Sequence, residues 1–148
     1  MFPNALGSEL VAILATLDPS SQAAGTVTTG WIPVGNHHNL LAVIQTGALG
    51  TGATVDAKLQ QASDTAGTGA KDITDKAITQ IVKASGDNKQ VLIDLKPEEL
   101  DIANGFGFVR LSLTVGVAAS LTSAQVLGIS PRVLPASAAN QAAVVQIV

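Results

Sequence analysis

The sequence predicts an all-β fold: an antiparallel β-sandwich of jelly-roll type, with one short helical turn and extended terminal arms. Three observations predict it. Apolar and polar residues alternate with period two over several stretches, as on strands with one buried face. Residues suited to turns separate those stretches at close spacing. The chain has 148 residues and 14 glycines but only three Phe and one Trp. Its core must therefore be filled mostly by Val, Leu and Ile. The length suits one domain. Residues 1–9 read as an N-terminal arm, 10–134 as the sandwich, and 135–148 as a C-terminal arm or added strand.

Taken in order, Leu10 to Ala15 and Gly25 to Ile32 are the first strand candidates. Leu40 to Ile44 is apolar throughout, the pattern of a centrally placed strand. Val55, Ala57 and Leu59 alternate with Thr54, Asp56, Lys58 and Gln60. Ala77 to Val82 is the next candidate, and Ser85-Gly86-Asp87-Asn88 then reads as a hairpin turn. Val91, Ile93 and Leu95 alternate again. Pro97-Glu98-Glu99-Leu100 predicts one helical turn, with proline first and acids at the positive dipole end, stopped by Asn104-Gly105. Val109, Leu111, Leu113, Val115 and Val117 form the cleanest alternation, opposed by Phe108, Arg110, Ser112 and Thr114. Ala124 to Ile129 closes the series.

Only 13% of the residues are charged and the net charge is −3, whereas 47% are hydrophobic. Disordered chains combine the opposite properties. A monomer of this mass exposes about 7,000 Å², so its 19 charges average about one per 370 Å². Either protein covers much of that surface, or Ser, Thr, Asn and Gln keep it soluble. Eight scattered Lys and Arg do not make a phosphate-neutralising surface, so no nucleic-acid partner is expected. Without cysteine there is no disulfide framework, thiolate metal site or cysteine nucleophile. The short run Leu10 to Leu17 lacks a basic lead-in and is not expected to act as a signal peptide or membrane span.

Sixteen of the charges lie between Asp56 and Arg110. Both ends are apolar, which predicts that they lie against protein, either their own domain or a neighbour. Phe2, Pro3 and Leu6, and Val144, Val145 and Ile147, are the candidate arm contacts. Phe106, Phe108 and Arg110 should share one strand face. They would form an exposed interaction strip unless a chain end covers them.

The reactive chemistry is weak. Gly47 to Gly52 follows an apolar strand, but the alternation after it favours a hairpin loop over a phosphate-binding helix start. His37 and His38 would point to opposite faces of a strand and so are not placed to share one metal ion; Asn36 to Asn39, after Pro33-Val34-Gly35, reads as a polar turn. Glu98 and Glu99 diverge on their turn and do not pair with Asp101 across a cleft. Asp64, Asp72 and Asp75 lack the spacing of an EF-hand loop. No catalytic residue, metal or cofactor is expected, nor a small-molecule substrate.

The stretches Ala53 to Ala62 and Gly67 to Ile73, with Lys76 to Gln80, Glu99 to Asp101 and Phe108 to Leu111, resemble small proteins of tailed bacteriophages and prophages. The resemblance is to the head decoration, or capsid cement, proteins and runs from about Leu10 to Pro135. It implies a non-enzymatic virion protein made in the host cytoplasm. Such a protein would bind the major capsid protein on the outer surface of the shell, as a homotrimer, with no membrane partner. The alternatives from the residues are a carbohydrate-binding module using Trp31 or the Phe106/Phe108 strip, or another virion component such as a head-fibre base or tail protein.

Overall fold

The computed structural model describes residues 4–148. Where alternation is cleanest, the backbone is extended. Among the described residues there are ten strands: β1 (Val11–Gln22), β2 (Gly25–Thr28), β3 (Ile32–Pro33), β4 (His37–Thr46), β5 (Thr54–Ala62), β6 (Lys71–Ala77), β7 (Ile81–Val82), β8 (Gln90–Leu95), β9 (Phe108–Gly116) and β10 (Ser120–Pro131). They form two antiparallel sheets. The first runs β1-β10-β4-β8, and the second β2-β9-β5-β6, with β3 beside β9 and β7 beside β5.

The pairs β1–β10, β2–β9, β4–β8 and β5–β6 describe one long antiparallel ribbon whose tip is the β5–β6 loop. Rolling the ribbon sends its successive pairs alternately to the two sheets, which is the jelly roll. Val55, Leu59, Leu111, Leu113 and Val115 of the second sheet face Leu40, Ile44, Ile93 and Val126 of the first across the core. The aliphatic filling expected from the scarcity of aromatics is what the core contains.

Two expected hairpins are crossovers instead. The loop Gly47 to Ala53 leads from β4 in one sheet to β5 in the other. Residues 83–89 likewise lead from β7 to β8, through a short helix, α1 (Lys83–Gly86). Local turn chemistry is the same whichever sheet receives the next strand. Here the two loops brace each other. Asp87 Oδ1 accepts the Leu49 N–H at 2.8 Å, and the Asn88 N–H donates to Gly47 O at 3.1 Å. The buried Thr46 hydroxyl donates to Gly86 O at 2.5 Å and accepts the Lys89 N–H at 3.1 Å. Thr46→Val is therefore expected to cost about 1–3 kcal/mol, measurable by urea unfolding.

The expected strand Ala77 to Val82 is displaced into β6 and β7, both on β5, with the Ile78 N–H donating to Ala57 O between them. The turn at Pro97–Glu99 is 3-10 helical, and Glu99 Oε2 accepts the Lys96 N–H at 2.7 Å. A second 3-10 turn, Ile102–Asn104, precedes Gly105, whose φ of 82° ends it.

The segments next to the sandwich are folded rather than extended. Residues Gly7–Leu10 form one helical turn leading into β1. Residues Ala136–Ala139 form a 3-10 turn with Ala136 buried. Just beyond it, Asn140 Oδ1 accepts the Ile13 N–H at 2.8 Å. The Gln141 N–H donates to Ile13 O, also at 2.8 Å. This part of the C-terminal segment therefore pairs both backbone groups of Ile13, one position on the open edge of β1, within its own chain.

Candidate interaction surfaces

The charge asymmetry of the sequence becomes an asymmetry between sheets. Strands of the first sheet carry only Asp18 and Asp94. Strands of the second carry Asp56, Lys58, Lys71, Asp72, Asp75, Lys76 and Arg110.

On the first sheet, Ala12, Leu40, Ala42, Ile44, Ala124 and Val126 point into the core, so their strand neighbours emerge outside. The register places Ile13, Leu127 and Leu41 in one row across β1, β10 and β4. Val11 lies opposite Ile129, and Val43 lies opposite Leu92. Leu92 is 58% exposed and the others are half-buried. A solvated antiparallel sheet normally alternates apolar-in with polar-out. Here three adjacent strands are aliphatic on both faces. The continuous run Leu40 to Ile44 thus belongs to a central strand, as expected, but its second face is uncovered.

Beyond this aliphatic area the same face turns to amides and hydroxyls. Ser123, Gln45 and Gln90 form the next row, beside a groove of about 400 Å³ that also takes in Asn88, Ser20 and Leu121. Aliphatics bordered by neutral polar groups, with charge depleted, is the composition of a protein-binding surface.

On the second sheet, Phe108 and Arg110 share the outer face of β9, as expected, while Phe106 precedes the strand. Among the described residues, Trp31 and the β5–β6 loop pack against the strip. The Arg110 guanidinium lies 4.5 Å from the Trp31 ring centroid, and its Nε donates to Gln60 Oε1 at 2.9 Å. Lys71 Nζ sits 4.3 Å from the Phe106 centroid. All four candidates, Trp31, Phe106, Phe108 and Arg110, are half-buried.

Gly67 has φ of 83°, and a Cβ there would come within 2.5 Å of Trp31 Nε1. Gly67→Ala is expected to displace the indole and lower stability by about 1–3 kcal/mol. Because Trp31 is the sole tryptophan, its fluorescence reports the change directly.

The acidic candidates serve local structure. Asp64 Oδ1 accepts the N–H groups of Ala66 and Thr68, and its Oδ2 accepts the Thr68 hydroxyl, which holds its carboxyl below the usual range. Asp72 is held low by the Lys58 ammonium and Gln60 amide. For Glu99 the Lys96 N–H is the main cause, with Lys76 at 2.9 Å second. Asp101 binds Lys71 Nζ at 2.6 Å and the Asn104 amide. Each depressed carboxyl stabilises the fold at neutral pH and loses that contribution as pH falls through its folded-state value. Asp75 takes φ of 60° in β6, an observation with no ligand attached to it. Among the described residues no group of three His, Cys, Asp or Glu is placed to hold a metal ion.

The expected polar turn Asn36 to Asn39 is corrected. Only Gly35 and Asn36 form the turn, and β4 begins at His37. His38 is exposed, but His37 is 1% exposed and neither ring nitrogen has a hydrogen-bond partner among the described residues. Its ring fills the space over Gly128, where a Cβ would approach Nε2 to 2.6 Å. The sequence signal was the pairing of a bulky ring with a bare glycine, far apart in the chain.

Of the terminal candidates, Phe2 and Pro3 lie outside the described residues. Leu6 is exposed, with its N–H donating to Glu9 Oε2 at 2.7 Å. Val144 is half-buried, and its N–H donates to Gln141 O at 3.0 Å. Val145 is 92% and Ile147 53% exposed.

No protein-family model matches the chain, and no curated protein matches it. Solved structures with a similar arrangement include the SPBc2 prophage-derived protein YomS, at 10% identity and TM-score 0.48 over 81% of this chain and 93% of that one. A chain of Desmodium yellow mottle tymovirus matches at 11% identity and TM-score 0.41, over 90% and 95%. The CBM22-2 xylan-binding domain of Paenibacillus barcinonensis Xyn10C matches at 14% identity and TM-score 0.45, over 84% and 89%. At these identities and scores no ligand, partner or activity carries over to this chain.

Proposed function

We propose that the chain is a non-enzymatic structural protein of a tailed-phage virion: a decoration or cement protein that binds the major capsid protein on the outside of the shell, as a homotrimer. The observation that carries this reading is the outer face of the β1-β10-β4-β8 sheet. A cement protein works by burying apolar and neutral polar surface against several subunits at once, with avidity multiplying weak contacts. The aliphatic area and its amide border suit that task, and the sequence resemblance to head decoration proteins points the same way. The exposed Leu6, Val145 and Ile147 are the proposed auxiliary contacts, with Phe2 and Pro3 beside Leu6 in sequence.

A sugar-binding role would use Trp31 or Phe106, but each ring already has a cation of its own chain over it. The decisive experiment is protein mass spectrometry of purified particles produced from the genome carrying this gene, with and without the gene. The chain in shell-like stoichiometry, and weaker resistance to heat in its absence, is the expected result. Its absence from the particle overturns the reading. Light scattering over a hundredfold concentration range tests the trimer separately.

A further inference from the structure

Residues 132–141 run as a strap across one end of the sandwich. Ser130, with φ of 52°, lies at the end of β10, one residue before its last ladder position Pro131. At the near end the Arg132 N–H donates to Asn36 O, and its Nε to Gly35 O, both at 2.9 Å. At the far end Asn140 and Gln141 hold both backbone groups of Ile13, and Gln141 Nε2 donates to Thr16 Oγ1 at 3.2 Å. Between the anchors, the strap and the Gly35–Asn36 turn flank a cavity of about 520 Å³, partly open to solvent, with His37 in its lining.

We propose that His37 is an acid-sensitive latch on this strap: the strap closes over the neutral imidazole, and protonation of the ring opens it. A protonated ring has two N–H donors to satisfy, yet among the described residues neither nitrogen has an acceptor and no carboxylate lines the cavity. The charged side chain on the strap is the cationic Arg132. The other titratable groups on nearby elements are occupied or turned out. Glu9 binds the Leu6 N–H. Glu99 binds Lys76 and the Lys96 N–H, while Glu98 and the neighbouring His38 are exposed. Burial alone shifts His37 below the ordinary imidazole value.

The charged ring must therefore reach water, and the strap and the Gly35–Asn36 turn are the surface segments that line the space beside it. Its bonds to Gly35 and Asn36 lie at the surface, whereas the opposite wall is the β10–β4 ladder at Gly128. Opening frees the N–H and C=O of Ile13, so the edge of β1 is exposed and the C-terminal segment becomes an arm. The sign follows from linkage: the base is weaker when closed, so closure is favoured at high pH and lost as pH falls below the open-state value. Opening increases about tenfold for each unit by which the closed-state midpoint lies below the open-state one.

The test is NMR on the full chain from about pH 7.5 down to about pH 4.5, above the range where most carboxylates titrate. It follows the imidazole signals of His37 and His38 together with amide exchange protection. The expected result is a His37 midpoint below the ordinary imidazole value. Protection at Ile13, Arg132 and Gln141 should fall with the His37 midpoint, while Leu111 and Val126 keep theirs. His37→Gln should make the strap's protection independent of pH over this range. Asn140→Ala, which loosens the far anchor, should raise the His37 midpoint, because coupling is reciprocal. Titration of His37 without loss of strap protection, or strap opening at an unrelated midpoint, would overturn the latch. If His37→Gln does not fold, the wild-type midpoints and Asn140→Ala still decide.

Discussion

Leu111→Ala is expected to lower the unfolding free energy by about 3–5 kcal/mol, a large part of the about 5–15 kcal/mol that holds a domain of ordinary stability. Leu111 is 0% exposed at the centre of β9, directly opposite Leu59 on β5. Its neighbours across the core are aliphatic side chains on strands fixed by their own ladders. They have little freedom to close over the space left behind, which places the cost toward the upper part of the range. Leu92→Ala removes the same atoms from a side chain that is 58% exposed, and should cost under about 1 kcal/mol. Urea unfolding of the two variants separates inward from outward leucines. Equal losses would contradict the placement of the two sheets.

The strand β9 was readable because one face of it meets the core and the other meets polar neighbours, so alternation survives in the sequence. The run Leu40 to Ile44 was readable as a central strand for the opposite reason. Its aliphatics on both faces are the pattern of burial on both sides, and only the structure shows that one side has no covering layer in this chain. The charge-poor flanks of the sequence had the same cause: they contain β1 and β10, neighbours in the first sheet that pair although they are far apart in sequence.

Other features were not readable locally. Gly47 to Gly52 and Ser85 to Asn88 have the residues of tight turns, but their partner is each other, and that depends on the roll of the ribbon. His37 looked polar and turn-like because its neighbours Asn36 and His38 are. Its burial depends on Gly128, which leaves room for the ring. The Phe106/Phe108/Arg110 strip was placed on the correct strand face, yet its cover comes from Trp31 and the loop around Gly67. Neither is adjacent in sequence.

The largest functional effect is expected from charge placed on the outer face of the first sheet. Leu127→Lys sits in the middle of the Ile13–Leu127–Leu41 row. In the free protein the new ammonium extends into water along a half-exposed face, and its methylene stem keeps much of the packing. Stability should therefore change by less than about 1 kcal/mol. Against a shell the same ammonium would be buried in an apolar contact without a partner, at a cost of several kcal/mol, about 3 or more. Each 1.4 kcal/mol is about tenfold in affinity, so attachment should weaken at least about a hundredfold, measured by co-sedimentation with particles lacking the chain. Thr114→Lys makes the matching change on the outer face of the second sheet, where lysine and aspartate already stand, and should leave attachment within about threefold of wild type. If Thr114→Lys abolished attachment and Leu127→Lys did not, the charged sheet would be the docking face. The aliphatic face of the first sheet would then have to be covered by other copies of the chain, which the solution mass of the two variants would show.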